Sequence, residues 1–265
     1  MSFPYKHVLL IGATSGIGYA MANKMLEHNI KVTAVGRRQE RLDAWVQENG
    51  TEKAHGKVFD ISHLDAIPQF AAEITNQSPD IDCVFINAGF QLPSDFTSPQ
   101  TVDLPAYHQI MHVNYTAAVT LATAFLPFLS EKTTATGLIF TQSNLAIVPA
   151  ASMPGYCASK AALNTFAMCL RSQLAEAKSN VNVIEIFPRL FKRRIAELHD
   201  YMGPEKGRQL GMPLAEFTEK AWQGLASGDD EVYVGCIGPE DRFFSIARQR
   251  RSACEDFAQM MRKMH

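Results

Sequence analysis

A tyrosine and a lysine four residues apart, in the segment GYCASKAAL, form the pair whose spacing most directly suggests chemistry. Residues four apart on a helix lie on one face, so the side chains of Tyr156 and Lys160 would be neighbours. A phenol with a pKa of about 10 is a poor proton donor at neutral pH, and a nearby ammonium lowers that pKa by stabilising the phenolate. The pair could therefore transfer a proton, although ordinary pairs on a helix surface share this spacing.

The elements that must position this pair are short apolar runs alternating with longer stretches of helical periodicity. The central runs are almost entirely apolar, which is typical of strands buried on both faces of a parallel sheet. We predict a single α/β domain over residues 1–265, with a Rossmann-type doubly wound parallel sheet of about seven strands flanked by helices. The apolar runs lie at 7–12, 31–36, 56–60, 82–89, 137–143, 180–188 and 231–235.

The segment IGATSGIG joins the first predicted strand to the first predicted helix. Glycine permits a tight turn and lets the backbone approach a diphosphate, while the helix N-terminus offers unpaired N–H groups and a partial positive charge. The segment predicts a dinucleotide site, although a plain strand-to-helix turn would also use glycine. The predicted contacts in this segment are Gly12, Thr14, Ser15, Gly16, Ile17 and Gly18.

The second predicted strand ends in VGRRQERL. A dinucleotide with a free ribose 2′-hydroxyl usually meets a carboxylate at this point, but this chain has Gly36 followed by Arg37 and Arg38. Guanidinium groups suit a 2′-phosphate, so the segment favours NADP(H) over NAD(H). Alternatively, both arginines are solvated residues at the start of a helix. Asp60 could accept a hydrogen bond from the adenine amino group, or it could be a turn or cap residue.

Taken together, these motifs resemble the short-chain dehydrogenase/reductase family across nearly the whole chain. The matching pieces, in chain order, are GATSGIG, GRR, Asp60, the NAG of Asn87, Ala88 and Gly89, then Asn114, Ser143 and YCASK. The segments YCASKAAL, LRSQL, VNVIEIFP and GMPLAEF are similar to the branch that contains oxidoreductases associated with D-alanine esterification. That finer resemblance indicates a neighbourhood within the family and gives no substrate.

The resemblance implies an NADP(H)-dependent oxidoreductase that moves a hydride between the nicotinamide and a carbonyl or secondary alcohol. Tyr156 would be the acid or base, Ser143 would hydrogen-bond the substrate oxygen, and Lys160 would bind the nicotinamide ribose and tune Tyr156. Asn114 would distort its helix and hold a water that relays protons to Lys160. The implied catalytic residues are Asn114, Ser143, Tyr156 and Lys160, and the further cofactor contacts are Asn87, Ala88, Gly89, Tyr156, Lys160 and Pro188.

The segment FPRLFKRRI departs from the family pattern. The strand ending at Pro188 is usually followed by Pro-Gly or Pro-Pro and then by a threonine that meets the nicotinamide carboxamide, but no Ser or Thr occurs between 188 and 200. Backbone groups alone could bind the carboxamide, or the basic residues could contact the diphosphate or an anionic substrate. Alternatively, the altered loop at 189–196 impairs turnover, and the protein is a cofactor-binding sensor or scaffold. The substrate loop is expected at about 189–212.

The composition argues against other classes of partner. A net charge of −2 gives no reason to expect nucleic acid or a membrane surface, and no run approaches the roughly 18 apolar residues of a membrane span. Five cysteines without a C-x-x-C pair fit a reduced compartment, so we expect a cytoplasmic protein. His108 and His112 lack the adjacent glutamate of a zinc helix, and we expect no metal. The family resemblance implies a homodimer or homotetramer.

Overall fold

The computed structural model describes residues 3–189 and 212–263. Seven strands lie in this part of the chain: β1 (His7–Ile11), β2 (Lys31–Gly36), β3 (Ala54–Val58), β4 (Cys83–Ile86), β5 (Thr136–Thr141), β6 (Val181–Pro188) and β7 (Glu231–Val234). The helices there are α1 (Gly16–Glu27), α2 (Gln39–Asn49), α3 (Ile67–Gln77), α4 (Leu104–Met111), α5 (Ala117–Ser130), α6 (Pro154–Glu176), α7 (Leu214–Ser227) and α8 (Glu240–Arg262).

The seven strands form one parallel sheet in the order β3-β2-β1-β4-β5-β6-β7, which confirms the predicted fold class. Because the chain begins at the centre, runs outward to β3 and then returns to β4, the strand order reverses between β1 and β4. Ligands of doubly wound sheets bind at such a reversal, beyond the carboxyl ends of the strands. The glycine turn follows β1 and the NAG segment follows β4, so both lie at this point.

Two apolar cores hold the helices against the faces of the sheet. Met21 of α1 and Phe217 of α7 lie in the core on one face, and Phe70 of α3, Phe125 of α5 and Leu163 of α6 lie in the core on the other. Burying one such side chain fully contributes about 1.5–3 kcal/mol. This burial on both faces explains why the central strands are nearly continuous apolar runs.

The third strand differs from its predicted bounds. It was expected at 56–60, and it lies at Ala54–Val58. Its register against β2 pairs Val32 with Ala54 and Gly36 with Val58, so pairing ends where β2 itself ends. The strand has half-buried and exposed positions, since β3 is the edge of the sheet, and its apolar pattern is correspondingly weak.

Within the described residues, one helical segment, Leu104–Ser130, meets the length and composition of a membrane span. This finding corrects the expectation that no segment of the chain approaches that length. The segment is long because α4 continues through a π-helical turn into α5. Leu121 and Phe125 on its inward face are fully buried in the core under the sheet, so part of its apolar surface covers the strands.

His7, on β1 at the amino end of the sheet, is expected to make the stability of the fold sensitive to acid. Its Nε2 lies 2.9 Å from Thr33 Oγ1 and its Nδ1 lies 3.0 Å from Asp80 Oδ2. Burial lowers the pKa of His7 from 6.5 to about 4, and the carboxylate of Asp80 only partly opposes this. Between these values the unfolded chain binds the extra proton and the folded chain does not, so the free energy of unfolding falls as pH drops from about 6.5 to 4.

The expected loss at pH 4 is on the order of 3 kcal/mol from this group. Denaturant unfolding of the wild type and of His7→Gln at several pH values measures it. Because glutamine has no proton to gain, the difference in unfolding free energy between the two proteins should shrink as the pH falls. A constant difference across this pH range would contradict the assignment.

Candidate active site

The turn after β1 is built by direct backbone contact. Gly12 has φ +94°, and a Cβ there would lie 2.6 Å from the backbone nitrogen of Ala88. Gly18, in the first turn of α1, leaves room for the carbonyl of Gly12, which accepts a hydrogen bond of 2.8 Å from Asn87 Nδ2. Side chains at these two glycines would force the turn away from the end of β4. The glycine spacing therefore fixes where the N-terminus of α1 points.

Thr141, the last residue of β5, connects this turn to the predicted catalytic helix. Its hydroxyl donates to Asn87 Oδ1 at 2.8 Å, and its carbonyl oxygen accepts from Lys160 Nζ at 2.7 Å. Lys160 is buried, so the carbonyl supplies a partner that a desolvated ammonium requires. Thr141 belongs to no motif, and sequence reasoning did not identify it.

A cluster of arginines lies on the other side of the turn. Arg38 donates from Nη2 to Thr14 Oγ1 at 2.6 Å and to Ser15 Oγ at 3.1 Å. Arg41 Nη1 donates to the backbone oxygen of Thr14 at 3.4 Å, a contact that sequence reasoning missed. The residue before this cluster, Gly36, packs against Thr14, since a Cβ there would lie 2.5 Å from Thr14 Cγ2. These contacts bring the guanidinium groups to the edge of the glycine turn.

Arg37 and Asp60 form an exposed pair beside this cluster. Arg37 Nη1 lies 3.6 Å from Asp60 Oδ2, and the arginine side chain is 75% exposed. Partial burial opposes ionisation of Asp60, but hydrogen bonds from Ser62 and the charge of Arg37 outweigh it and hold the pKa of this carboxyl below its usual value. Asp60 is therefore an ionised acceptor, and it also serves as a turn residue by accepting from Ser62 N at 3.0 Å.

Tyr156 and Lys160 lie in the first half of α6, and both are buried. Ser143 lies just beyond β5, where its Oγ accepts a hydrogen bond of 3.1 Å from Leu145 N. Ser143, Tyr156 and Lys160 line one cavity of about 910 Å³ together with the glycine turn and the arginines. The structure thus brings the predicted proton-transfer group and the predicted dinucleotide site into the same space.

Asn114 lies behind this cavity and does not line it. The helix has a π-helical turn at His112–Thr116, which is the local distortion that the family resemblance implies. The Asn114 amide donates to Phe90 O at 2.8 Å and to Ser159 Oγ at 3.1 Å, and accepts from Phe90 N at 2.9 Å. A Cβ at Gly89 would lie 2.9 Å from Asn114 Oδ1 and 3.7 Å from Lys160 Nζ, so the three residues converge. Asn114 holds the chain beyond β4 against α6.

Most of the predicted site residues reach the cavity, and two do not. Gly18 acts by making room within the turn, and Asn114 acts through Phe90 and Ser159. The remaining predicted residues lining the cavity are Gly12, Thr14, Ser15, Gly16, Ile17, Arg37, Arg38, Asp60, Asn87, Ala88, Gly89, Ser143, Tyr156, Lys160 and Pro188. Lining residues that sequence reasoning missed include Arg41, Ser62, Phe90, Gln91, Gln109, Val113, Thr141 and Gln142.

Of the basic segment that departs from the family pattern after Pro188, the structure describes only the first residue, Arg189. Arg189 lines the cavity, and its backbone nitrogen donates to Val234 O at 3.2 Å. The rest of the basic segment, 190–196, and the predicted substrate loop up to 211 lie outside the described residues. No group of three or more His, Cys, Asp or Glu side chains suited to a metal ion occurs within 3–189 and 212–263.

Comparison with known proteins accounts for this arrangement. Residues 6–199 match the short chain dehydrogenase family. An uncharacterized oxidoreductase, DltE, of Bacillus subtilis (strain 168) is 30% identical over 227 residues, which are 85% of this chain and 86% of DltE. Serine 3-dehydrogenase of Agrobacterium fabrum (strain C58 / ATCC 33970) is 34% identical over 179 residues, covering 67% of this chain and 70% of that enzyme.

A solved structure agrees with these sequence matches. A short chain dehydrogenase from Burkholderia cenocepacia J2315, in complex with NADP, has a TM-score of 0.73 and 25% identity, covering 94% of this chain and 93% of that chain. The family match, the relatives and the sheet order all agree with the resemblance carried by the sequence motifs. This chain therefore belongs to the short-chain dehydrogenase/reductase family.

Proposed function

We propose that this protein is an NADP(H)-dependent oxidoreductase that transfers a hydride between the nicotinamide and a small-molecule carbonyl or secondary alcohol. The observation that carries the proposal is the shared cavity, in which Ser143, Tyr156 and Lys160 face the same space as the glycine turn. Its volume of about 910 Å³ lies in the range of small-molecule and cofactor sites. The bound cofactor supplies the hydride chemistry.

The residues fit such a dinucleotide. Gly12 and Gly18 keep side chains out of the turn, and the N-terminus of α1 offers backbone N–H groups to a diphosphate. Arg38 and Arg37 lie at the ribose end of the turn, where guanidinium groups favour a 2′-phosphate. The NADP complex of the Burkholderia relative supports the same choice. At the far end of the cavity lie the residues that handle the substrate.

Each of these residues has one task in the proposed reaction. Tyr156 gives a proton to the carbonyl oxygen during reduction and takes it back during oxidation. Ser143 hydrogen-bonds the same oxygen as charge develops on it. Lys160, held by the Thr141 carbonyl, places a positive charge on the Tyr156 face of α6 and stabilises the phenolate. Asn114 is a positioning residue, since it anchors Phe90 and Ser159 around this group.

A cofactor-binding sensor without turnover is not favoured. Asn114, Ser143, Tyr156 and Lys160 are all present, and both relatives described above are oxidoreductases by name. The test is NADPH oxidation over a panel of ketones and aldehydes, followed by absorbance. Saturable oxidation with at least one carbonyl supports the proposal. Cofactor binding without turnover across a broad panel would instead favour the sensor hypothesis.

Cofactor preference is predicted from the arginines. NADPH should raise the melting temperature more than NADH does at equal concentration, because ligand stabilisation grows with [L]/Kd. Arg38→Ala should weaken NADPH binding about 10- to 100-fold and change NADH binding little, as one charge-assisted hydrogen bond is worth about 1.5–3 kcal/mol. Arg242→Ala, at an exposed position of α8, is the matched control. Stronger stabilisation by NADH would refute the preference.

A further inference from the structure

Gln91 carries a buried amide nitrogen that lacks a hydrogen-bond partner among the residues the structure describes. The residue lines the cavity five positions beyond the end of β4, and only 8% of its surface is exposed. Buried donors in folded proteins are nearly always paired, so an unpaired one needs a physical explanation. A side chain that faces a ligand cavity and lacks a protein partner is explained most simply by a partner on the ligand.

The backbone around Gln91 is held firmly on one side. Phe90 forms two hydrogen bonds with the Asn114 amide, one through its nitrogen and one through its oxygen. Gly89 packs so closely on Asn114 Oδ1 that a Cβ would lie 2.9 Å away. The backbone that leads into Gln91 is therefore anchored to the helix behind the cavity, which fixes the point from which this side chain starts.

Gln91 lies at the substrate end of the cavity. The neighbouring Phe90 packs against an apolar cluster that contains Tyr156, Met153 and Leu145. Lys160 is also near, since its Nζ lies 3.7 Å from a Cβ placed at Gly89. The glycine turn follows β1 and the arginines follow β2, so both lie on the other side of the reversal in strand order from Gln91, which follows β4. Gln91 thus lines the same cavity as Tyr156 and Ser143, next to an apolar cluster to which its amide adds a polar group.

We propose that Gln91 determines specificity by donating a hydrogen bond to a second oxygen of the substrate, distinct from the carbonyl oxygen that Tyr156 protonates. This inference rests on the proposed oxidoreductase function and names its substrate class: ketones that carry a further neutral carbonyl or hydroxyl group. A neutral oxygen matches the neutral amide of Gln91 and the apolar cluster beside it. Sites built to hydrogen-bond a substrate group discriminate strongly against analogues that lack it.

The test measures binding separately from turnover. The holoprotein is loaded with NADP⁺, which cannot reduce a ketone, and titrated calorimetrically with 1-phenylpropane-1,2-dione or with 1-phenylpropan-2-one. These two probes share their carbon skeleton and differ by one carbonyl oxygen. Gln91→Leu keeps similar volume and removes the donor. We expect it to weaken dione binding about tenfold and monoketone binding by less than about threefold.

Two controls separate recognition from structure. Gln109, also at the cavity, has an exposed amide, and Gln109→Leu should change both affinities by the same factor. Gln91→Leu should melt at or above the temperature of the wild type without ligand, because its amide nitrogen has no hydrogen bond to lose within the described residues. A structural amide would instead show a clear drop in melting temperature.

Three results would overturn the inference. They are equal weakening of both probes by Gln91→Leu, no weakening of either, and failure of the wild-type holoprotein to bind the dione. NADPH turnover is assayed in parallel. Selective dione binding without NADPH oxidation across the whole carbonyl panel would reject the proposed function and leave the binding role of Gln91 supported, so the two failures are distinguishable.

Discussion

Replacing Tyr156 with phenylalanine is expected to lower kcat for NADPH-dependent carbonyl reduction by about 10²–10⁴-fold, the usual contribution of a positioned general acid. The substitution deletes one oxygen atom and keeps the ring. Tyr156 is buried on α6 against Met153 and Leu145, so the phenyl group should preserve this packing. Affinity for NADPH should change by less than about threefold, because the proposed function assigns the other end of the cofactor to the glycine turn and the arginines.

The measurements are the initial rate of NADPH oxidation and, separately, NADPH affinity by titration. Tyr107→Phe is the matched control. Tyr107 lies on α4 with its ring against the first turn of α6, where a Cβ at Gly155 would lie 2.8 Å from Tyr107 Cε2, and it does not line the cavity. Its kcat should stay within about twofold of the wild type. Unchanged turnover in Tyr156→Phe would refute the acid role, whereas joint loss of affinity and turnover would indicate a disturbed fold.

The parts of the fold that sequence predicted are those with strong local signals. Buried parallel strands leave long apolar runs, and the seven predicted runs all correspond to strands. The weakly patterned edge strand β3 was misplaced by two residues. The helical segment Leu104–Ser130 could be predicted because it is long and apolar, whereas its π-helical turn leaves no local pattern and was expected only from the family resemblance at Asn114.

The site residues also divide into those with a strong local signal in the sequence and those without one. Glycines and the tyrosine–lysine spacing are visible because backbone geometry and helix periodicity require particular residue types. Thr141 was missed because its contact with Lys160 uses a backbone oxygen, which any residue could provide. Ser159 and Gln91 were missed since their roles arise only where separate elements converge. Such contacts are properties of the folded chain, and a single sequence does not reveal them.

Gly18→Ala is the second substitution with a large expected effect, and it acts on the fold of the site. A Cβ at Gly18 would lie 2.1 Å from the carbonyl oxygen of Gly12 and 2.5 Å from Asn87 Nδ2. Neither neighbour can yield easily, because Asn87 is bound both to that carbonyl and to the Thr141 hydroxyl. Relief requires α1 to move away from β4, so we expect a loss of about 3 kcal/mol in unfolding free energy.

The matched comparison is Gly16→Ala, two residues earlier in the same turn. Gly16 has φ +61° and nothing within 4 Å of an added Cβ, so alanine there costs only backbone strain, about 1–2 kcal/mol. Gly50→Ala, at φ +78° and equally open, measures that strain away from the cavity. If denaturant unfolding shows Gly18→Ala to be no more destabilising than these two, the close approach of α1 to Gly12 is not what holds the turn. The predicted order requires Gly18→Ala to be the most damaging, and to weaken NADPH binding by at least about tenfold, since the opened turn no longer presents the N-terminus of α1 to a diphosphate.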